Sequence, residues 1–196
     1  KGNIGDFPVE PENIIGELLY GAFGSVQSAQ QGGTAAYLHT FSPADTLPSY
    51  TLRLGVEQTE RILPGCLVEG LTLKFGHDKD IQASAEVLSG FVETKASIGT
   101  PTISPLQALN MQAASSVLTI AGASKRSLIY DLELTIKNNV PFSTGDLSGR
   151  TFATKRYGQR EATGKLSAYF DDTTEYDRFM AGNEFTLVVT AVGPLI

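Results

Sequence analysis

The stretch Gly164–Val192, GKLSAYFDDTTEYDRFMAGNEFTLVVTAV, predicts a strand, a short helix and a second strand in succession. At its start, apolar side chains alternate with Lys, Ser and Tyr, which is the period-2 pattern of a half-buried strand. The apolar positions of this strand are Leu166, Ala168 and Phe170. Phe185–Val192 is rich in β-branched residues and predicts the second strand.

The helix between these two strands carries its own start and stop signals. Asp172 can accept a hydrogen bond from a free N–H of the first turn, and Glu175, three residues later, completes a capping box. Gly182 stands where a left-handed residue ends a helix. The apolar stripe of the helix consists of Tyr176, Phe179 and Met180.

A second strand–helix unit is predicted at the start of the chain. Asn3–Val9 can be extended, Pro11 suits a first helical turn, and Gly24 ends the helix. Such a terminal strand needs a partner strand. The apolar face of this helix consists of Ile14, Ile15, Leu18, Leu19, Ala22 and Phe23.

Two strand–helix units indicate either an internal duplication or two ends that meet in one sandwich. We treat residues 1–196 as a single domain. In the alternative, two pseudo-repeat halves at about 1–93 and 117–196 are joined by a long loop, 94–116. Because the chain begins at Lys1 rather than Met, we expect either processing or residues missing upstream.

Between these units the pattern is mainly that of β-strands. Cys66–Phe75 and Ile81–Val92 predict the two arms of a long hairpin, with a bulge at Glu69–Gly70. Further strands are predicted at Ala35–Phe41, Leu47–Leu54, Val117–Ile120 and Leu128–Ile136. Polar loops are predicted at Ser25–Thr34, Thr94–Ser116 and Val140–Gln159. The predicted fold class is therefore mainly β, an antiparallel β-sandwich or half-barrel with two short flanking α-helices.

The composition excludes several classes of protein. With 196 residues and 41% apolar residues, the chain can build one substantial core. Its 15 Lys+Arg and 21 Asp+Glu give a formal charge of −6, which argues against a general nucleic-acid clamp with a basic surface. No run approaches the roughly 20 apolar residues of a membrane helix. No signal peptide is visible, and the lone Cys66 cannot form an intramolecular disulfide.

No sequence pattern points to catalysis or metal binding. His39 and His77 are far apart, and a single cysteine gives no ligand spacing for zinc. The chain has no G-x-S-x-G elbow, no H-E-x-x-H and no P-loop. Cys66 lies beside a turn in an apolar strand, where a buried thiol is the default. We therefore predict no enzyme activity, no cofactor and no small-molecule ligand.

The order of the elements resembles the tail tube proteins of long-tailed bacteriophages. The segments that carry this resemblance are VEPENIIGELLYGAFG, AYLHTFSPADTLPSYTLRLG, CLVEGLTLKFG, LELTIKNN and GKLSAYFDDTTEYDRFMAG. The matching positions in the first two are Pro11–Ile14, Leu18, Leu19, His39, Phe41 and Leu47–Thr51. The resemblance covers most of the chain. Its specificity lies in the order of the segments, because none of them carries chemistry.

The resemblance implies a virion protein that assembles with itself. Protomers of that family close into six-fold or pseudo-six-fold rings, and the rings stack into a hollow tail tube through which the genome is ejected. The implied partners are other tail proteins: the terminator, the distal tail or baseplate proteins and the tape measure. Assembly would occur in the host cytoplasm, and DNA would pass the lumen without specific binding. A negatively charged wall suits this, since it repels phosphate.

Two sets of side chains are candidates for this function. Candidate lumen-facing residues are Gln82, Ser84, Glu86, Asp131 and Glu133; the equally weighted alternative is an ordinary solvated sheet face. Candidate contacts between rings or subunits are a basic run with Arg150, Lys155, Arg156, Arg160 and Lys165, facing Asp171, Asp172, Glu175 and Asp177 of a neighbour. The alternative is a solvated loop, with carboxylates that favour a helix N-terminus. We prefer that explanation for Asp172 and Glu175.

Other functions stay open from the sequence alone. The main alternative is a carbohydrate- or protein-binding β-sandwich, which clustered exposed aromatic residues would favour. A related secretion-system or baseplate tube component is a second alternative. A hydrolytic enzyme ranks third, since the nucleophile and metal patterns are absent from the sequence.

Overall fold

The computed structural model describes residues 1–11, 14–56, 59–77, 79–89, 94–97, 108–109, 116–141 and 158–191. In chain order the strands are β1 (Gly2–Pro8), β2 (Gly24–Gln30), β3 (Tyr37–Pro43), β4 (Tyr50–Val56), β5 (Thr59–Gly76), β6 (Gln82–Ser89), β7 (Thr94–Ser97), β8 (Val117–Ile120), β9 (Ala123–Ser124), β10 (Ile129–Lys137), β11 (Glu161–Ala168) and β12 (Leu187–Thr190). The helices are α1 (Ile15–Phe23) and α2 (Thr174–Met180). This mainly antiparallel β fold with two short helices confirms the predicted fold class.

The central sheet has the strand order β1-β6-β5-β10-β11, and every pairing along it is antiparallel. The partner that the sequence requires for β1 is therefore β6. The predicted long hairpin is formed by β5 and β6, and its register shifts between Val68 and Gly70, which confirms the bulge. β4 and β7 pair with the first half of β5. The sheet combines strands from both of the predicted pseudo-repeat halves.

Two predicted loops contain strands. Ser25–Thr34 was expected to be a polar loop, but β2 pairs residue for residue with β3, from Gly24 opposite Pro43 to Gln30 opposite Tyr37. Backbone hydrogen bonds form this ladder without an apolar face, and β3 supplies the β-forming side chains. Likewise, the first residues of the predicted connection 94–116 form β7. Most of that connection, and residues 142–157 of the third predicted loop, lie outside the described residues.

The core lies on one face of the central sheet. α1 packs against β5 and β6 through a cluster of Leu18, Ala22, Val68, Leu71 and Ala85. A second cluster joins α1 to the end of β6 through Val9, Ile15, Ile81 and Ala83. β8 covers β10 through Leu118, Ile120 and Leu132. The small sheet β12-β8-β9 thus forms a second layer beside the helix.

The ends of α1 follow the sequence signals in part. Gly24 is left-handed, with φ of 93°, and its N–H bonds to the Tyr20 carbonyl, so the predicted C-terminus is confirmed. Pro11 does not lie in the first helical turn as predicted. It lies in a turn before the helix, whose N-cap residue is Ile14.

Two glycines of α1 make a matched test of this packing. A Cβ on Gly21 would lie 2.4 Å from Val68 Cγ2 and 3.0 Å from Tyr50 Cε2, whereas a Cβ on Gly16 meets nothing within 4 Å. Gly21→Ala should therefore lower the free energy of unfolding by about 1–3 kcal/mol. Gly16→Ala should raise it by roughly 0.5–1 kcal/mol, because Ala restricts the unfolded chain.

Chemical denaturation of the unassembled subunit measures both values. Equal effects of the two substitutions would contradict the close approach of α1 to β5.

Candidate functional site

The first candidate surface is the polar face of the central sheet, opposite the core. Residues that oppose each other across a strand pair lie on the same face. The register therefore defines rows across the sheet: Gln82, Lys74, Glu133 and Lys165; Ser84, Thr72, Thr135 and Thr163; Glu86, Gly70, Lys137 and Glu161; and Asp131 with Ser167. All five residues predicted for a lumen, Gln82, Ser84, Glu86, Asp131 and Glu133, thus share one face of one sheet.

The charges on this polar face are mixed rather than mainly acidic. Its described carboxylates are Asp6, Glu86, Asp131, Glu133 and Glu161, and its ammonium groups are Lys1, Lys74, Lys137 and Lys165. Lys1 Nζ lies 2.8 Å from Glu86 Oε2, and Lys74 Nζ lies 2.9 Å from Asp6 Oδ2. The excess of acidic residues in the chain is therefore not concentrated here. Paired charges of both signs stabilise neighbouring strands and leave little net field.

These ion pairs shift the titration of their members. The hydrogen bond from Lys74 lowers the pKa of the Asp6 carboxyl, and the same bond raises the pKa of Lys74. The hydrogen bond to Glu86 raises the pKa of Lys1. Between the charged rows, Thr72 Oγ1 and Thr135 Oγ1 are hydrogen-bonded at 3.0 Å.

Replacing Lys74 by Met should raise the pKa of Asp6 toward its ordinary value of 3.8. The folded-state pKa lies below the unfolded one, so the pair stabilises the fold above pH 3.8, and this contribution is lost as the pH falls through the lowered value. NMR titration of the Asp6 carboxyl carbon measures the shift. Lys137→Met, on the same face, is the matched control and should leave Asp6 unchanged. An Asp6 pKa that does not respond to Lys74→Met would contradict the ion pair.

The second candidate surface is an apolar groove between the end of β11 and α2. It encloses about 570 Å³. The apolar residues that line it include Leu166, Tyr169, Phe170, Tyr176, Phe179 and Phe185. Phe170 is 81% exposed and Phe179 is 78% exposed, and no residue of α2 is buried. We keep the name apolar groove for these residues.

This exposure corrects the expectation from the sequence. The alternation in β11 predicts a half-buried strand, yet Leu166 is 40% exposed and most of the strand is exposed. The apolar stripe of α2 is present as predicted, and no residue of this helix is buried. The pattern correctly identifies apolar faces, and what covers them lies outside the described contacts. Exposed apolar surface of this kind marks an interaction site.

The start of α2 differs in detail from its prediction. The N-cap residue is Thr173 rather than Asp172, and its side chain makes no capping bond. Asp172 Oδ1 still accepts the Thr174 N–H at 2.9 Å, and this bond lowers the pKa of Asp172. Glu175 does not complete a capping box. It forms ion pairs instead, at 3.4 Å to Lys125 and 3.5 Å to Arg178.

The end of α2 agrees with its prediction. Gly182 is left-handed, with φ of 66°. Its N–H bonds to the Phe179 carbonyl at 3.0 Å, and the Asn183 N–H bonds to the Arg178 carbonyl at 3.1 Å. This pair of bonds is a Schellman motif, which satisfies carbonyls that the helix end leaves free.

Some residues predicted for contacts between rings or subunits lie outside the described residues, and the others lie in different parts of the structure. Arg150, Lys155 and Arg156 lie outside the described residues. Arg160 is half-buried, and it donates to Asn138 Oδ1 at 2.8 Å and to the Ala44 carbonyl at 3.2 Å. Its role in a contact between rings stays a prediction. Such a contact would have to compete with these intramolecular hydrogen bonds. Asp171 is exposed and lines the apolar groove, Asp177 is exposed on α2, and Lys165 lies on the polar face instead.

Sequence reasoning missed two features of these surfaces. One is the set of lysines on the polar face, which only the strand register reveals. The other is the exposed hairpin β2–β3, on which Tyr37 is 56% and Leu38 57% exposed. A signal for the hairpin was present, because the run from Gly24 to Pro43 contains no Asp, Glu, Lys or Arg.

Among the described residues, neither surface carries a group of side chains that is typical of a catalytic or metal-binding site. Among them, no group of three or more His, Cys, Asp or Glu residues is arranged to hold a metal ion. Nor is any helix in this part of the chain long and apolar enough to cross a membrane. Two features dominate instead: a sheet with unlike faces, and an exposed apolar groove at its side.

A two-faced sheet with open edges and uncovered apolar surface defines a structural subunit that associates with other chains. The family model described as phage tail tube protein matches residues 5–194. The chain belongs to this family, which confirms the resemblance drawn from the order of its segments. It is a structural protein of the virion tail. No curated protein sequence matches it.

Proposed function

We propose that copies of this chain close into rings that stack into a hollow tube, with the polar face of the central sheet lining the bore. One observation carries the proposal. In the part of the chain that the structure describes, the outer strands β1 and β11 of the central sheet are each paired on one side only. An open strand edge pairs readily with another chain. Rotation of identical copies joins the β11 edge of one to the β1 edge of the next, and a closed ring leaves neither of these two edges open.

The apolar groove supports the same proposal. It lies directly beside β11, so a neighbour that pairs with this strand also approaches Phe170 and Phe179. Apolar surface buried in this way contributes roughly 25 cal/mol per Å². We propose that Asp171, which lines the groove, and Asp177, which is exposed on α2, take part in contacts between rings or subunits.

The polar face suits a water-filled bore. We propose that Gln82, Ser84, Glu86, Asp131 and Glu133 face this lumen. DNA adheres to surfaces whose lysines displace its counterions. Here Lys1 and Lys74 are held by carboxylates of the same face, so they offer phosphate no isolated positive site. In this proposal, DNA passes without binding mainly because the positive charges of the wall are paired with carboxylates. The overall negative wall expected from the composition contributes less.

We propose the remaining features on the strength of the family. The rings are six-fold or pseudo-six-fold, and they assemble in the host cytoplasm. The partners are the terminator, the distal tail or baseplate proteins and the tape measure, and DNA is ejected through the tube. Arg150, Lys155, Arg156 and Arg160 are proposed contacts between rings.

A carbohydrate- or protein-binding β-sandwich is the second candidate function, and the apolar groove is the observation that favours it. A concave, mainly aromatic site with a few carboxylates at its rim is the usual form of a ligand pocket. The open edges of the central sheet have no role in such a protein. They and the family favour the tube.

Purified protein should form rings or tubes that electron microscopy resolves. The double substitution Phe170→Asp and Phe179→Asp should abolish them, because it places charge in the contact beside β11. Since both side chains are exposed, the free energy of unfolding of the subunit should change by less than about 1 kcal/mol. Tyr37→Asp, on the hairpin β2–β3, is the comparison variant, because it places a charge at an exposed aromatic residue outside the apolar groove. Monomers that persist at high concentration in every salt condition would overturn the proposal.

Reversing the charge of Glu86, Asp131 and Glu133 together should leave assembly intact and slow the release of DNA. The substitutions remove the carboxylate that holds Lys1 and add three lysines to the polar face, so phosphate would bind the wall. DNA release from intact virions, followed by fluorescence of a dye that binds DNA, measures the rate. The matched control reverses Glu17, Asp45 and Glu184, which are exposed outside this face. Failure to assemble in the first variant alone would assign its residues to contacts instead.

A further inference from the structure

We propose that the junction between neighbouring subunits is a parallel strand pair, in which β1 of one copy runs alongside β11 of the next with a stagger of two residues. This inference rests on the proposed function, and it adds the direction and register of the contact. It commits the open β11 edge to one occupant, a second copy of this chain.

The direction follows from the number of strands. Four antiparallel pairings lead from β1 to β11, so these two strands run the same way in one subunit. Rotation about a ring axis keeps the direction of every strand relative to that axis. The β11 strand of one copy and the β1 strand of the next are therefore parallel. Evenly spaced, slanted hydrogen bonds hold such a pair.

The stagger follows from closure and from the two faces. Neighbouring strands in a closed barrel must be displaced along their length. A displacement by one residue would turn polar side chains to the apolar side, so two residues is the smallest that keeps the faces matched. Without stagger, the register across the sheet aligns Asn3 with Glu161. A two-residue displacement brings either Lys1 or the region of Asp6 beside Glu161.

Charge selects between these two displacements. The first brings Lys1 next to Glu161. Because the register of β1 shifts by one residue between Ile4 and Phe7, it also brings Asp6 next to Lys165, so both pairs attract. The second brings Asp6 next to Glu161, and these like charges repel. Lys1 already bonds to Glu86 and Asp6 to Lys74 within the subunit. An ammonium group has three donors and a carboxylate about four acceptor sites, so each can take a further partner.

The apolar side agrees with the same register. The first displacement sets Ile4 beside Gly164 and Phe7 beside Leu166. Ile4 and Phe7 pack at the edge of the core under α1, and Leu166 is the uncovered apolar residue of β11. The junction thus continues the apolar face of one subunit into that of its neighbour. It also brings the α1 side of the neighbour next to the apolar groove.

An antiparallel junction of β1 with β11 would need a copy turned end over end, and this turn would set the polar face of that copy on the apolar side of its neighbour. A copy turned end over end with its faces matched presents β11 instead, so the face-matched antiparallel contact at this edge is β11 beside β11. Matched faces therefore allow only the parallel direction for β1 beside β11. The ends of these strands test the stagger, and the centre, Asn3 beside Thr163, tests for edge pairing itself.

Three paired-cysteine variants test the proposal, in a Cys66→Ala background that removes the native thiol. Asn3→Cys with Thr163→Cys reports pairing of the β1 and β11 edges. Lys1→Cys with Glu161→Cys reports the proposed stagger, and Lys1→Cys with Lys165→Cys is its control, because the stagger places these two residues four positions apart. Thr163→Cys alone reports the antiparallel contact of β11 with β11. Within one subunit β1 and β11 are four strand spacings apart, about 19 Å, so no intramolecular disulfide can form. Oxidised assemblies are analysed by non-reducing gel electrophoresis and electron microscopy.

The expected result is a ladder of crosslinked oligomers for the central and the staggered variants, with at least ten-fold less crosslinking for the Lys1–Lys165 control and for Thr163→Cys alone. Crosslinking through Lys1 and Lys165 instead would overturn the stagger, and crosslinking of Thr163→Cys alone into dimers would overturn the direction; both leave the tube intact as a function. Rings in micrographs without any central crosslink would overturn the edge junction. Absence of rings from the unsubstituted protein would instead overturn the proposed function itself.

Discussion

Backbone hydrogen bonding at the edges of the central sheet is the constraint on which the rest of the structure depends. An inner strand such as β5 satisfies its N–H and C=O groups on both sides, whereas an outer strand satisfies them on one side. In the described part of the chain, β1 and β11 end the main strand order, and β4 and β7, which pair only with β5, are further edges. The uncovered apolar surface, including Phe170 and Phe179, lies beside one of them. Unpaired backbone groups and uncovered apolar side chains therefore occur together at β11. A single neighbouring subunit can pair with the former and cover the latter.

The strands could be predicted where one face is buried by the chain itself. The alternation of Ala83 and Ala85 with Ser84 is reproduced in β6, because α1 and β5 supply the apolar environment that it requires. Gly24 and Gly182 marked two helix ends correctly, since few residues other than glycine adopt a positive φ. The hairpin β2–β3 was missed because neither face is buried, so no periodicity records its strands.

The sequence predicted which residues lie on the polar face, but it did not predict the balance of positive and negative charge on that face. Strand alternation correctly assigned Glu86 and Glu133 to a polar face. It could not show that Lys74 stands opposite Glu133, because register depends on the bulge at Glu69–Gly70 and on strands distant in sequence. The apolar groove was misjudged for a related reason. A sequence pattern identifies a face to be buried without stating whether the same chain buries it.

The hairpin β2–β3 differs from every other exposed surface in having almost nothing to titrate. Its only ionisable side chains are Tyr37 and His39, and His39 Nδ1 lies 2.7 Å from Ser28 Oγ. Coulombic contacts weaken as the Debye length shrinks from about 10 Å at 0.1 M salt to 3 Å at 1 M. An arm built from amides, hydroxyls and small apolar groups lacks that dependence. Contacts made by this hairpin should therefore persist at both low and high salt concentration, whereas a purely ionic contact would weaken as the salt concentration rises.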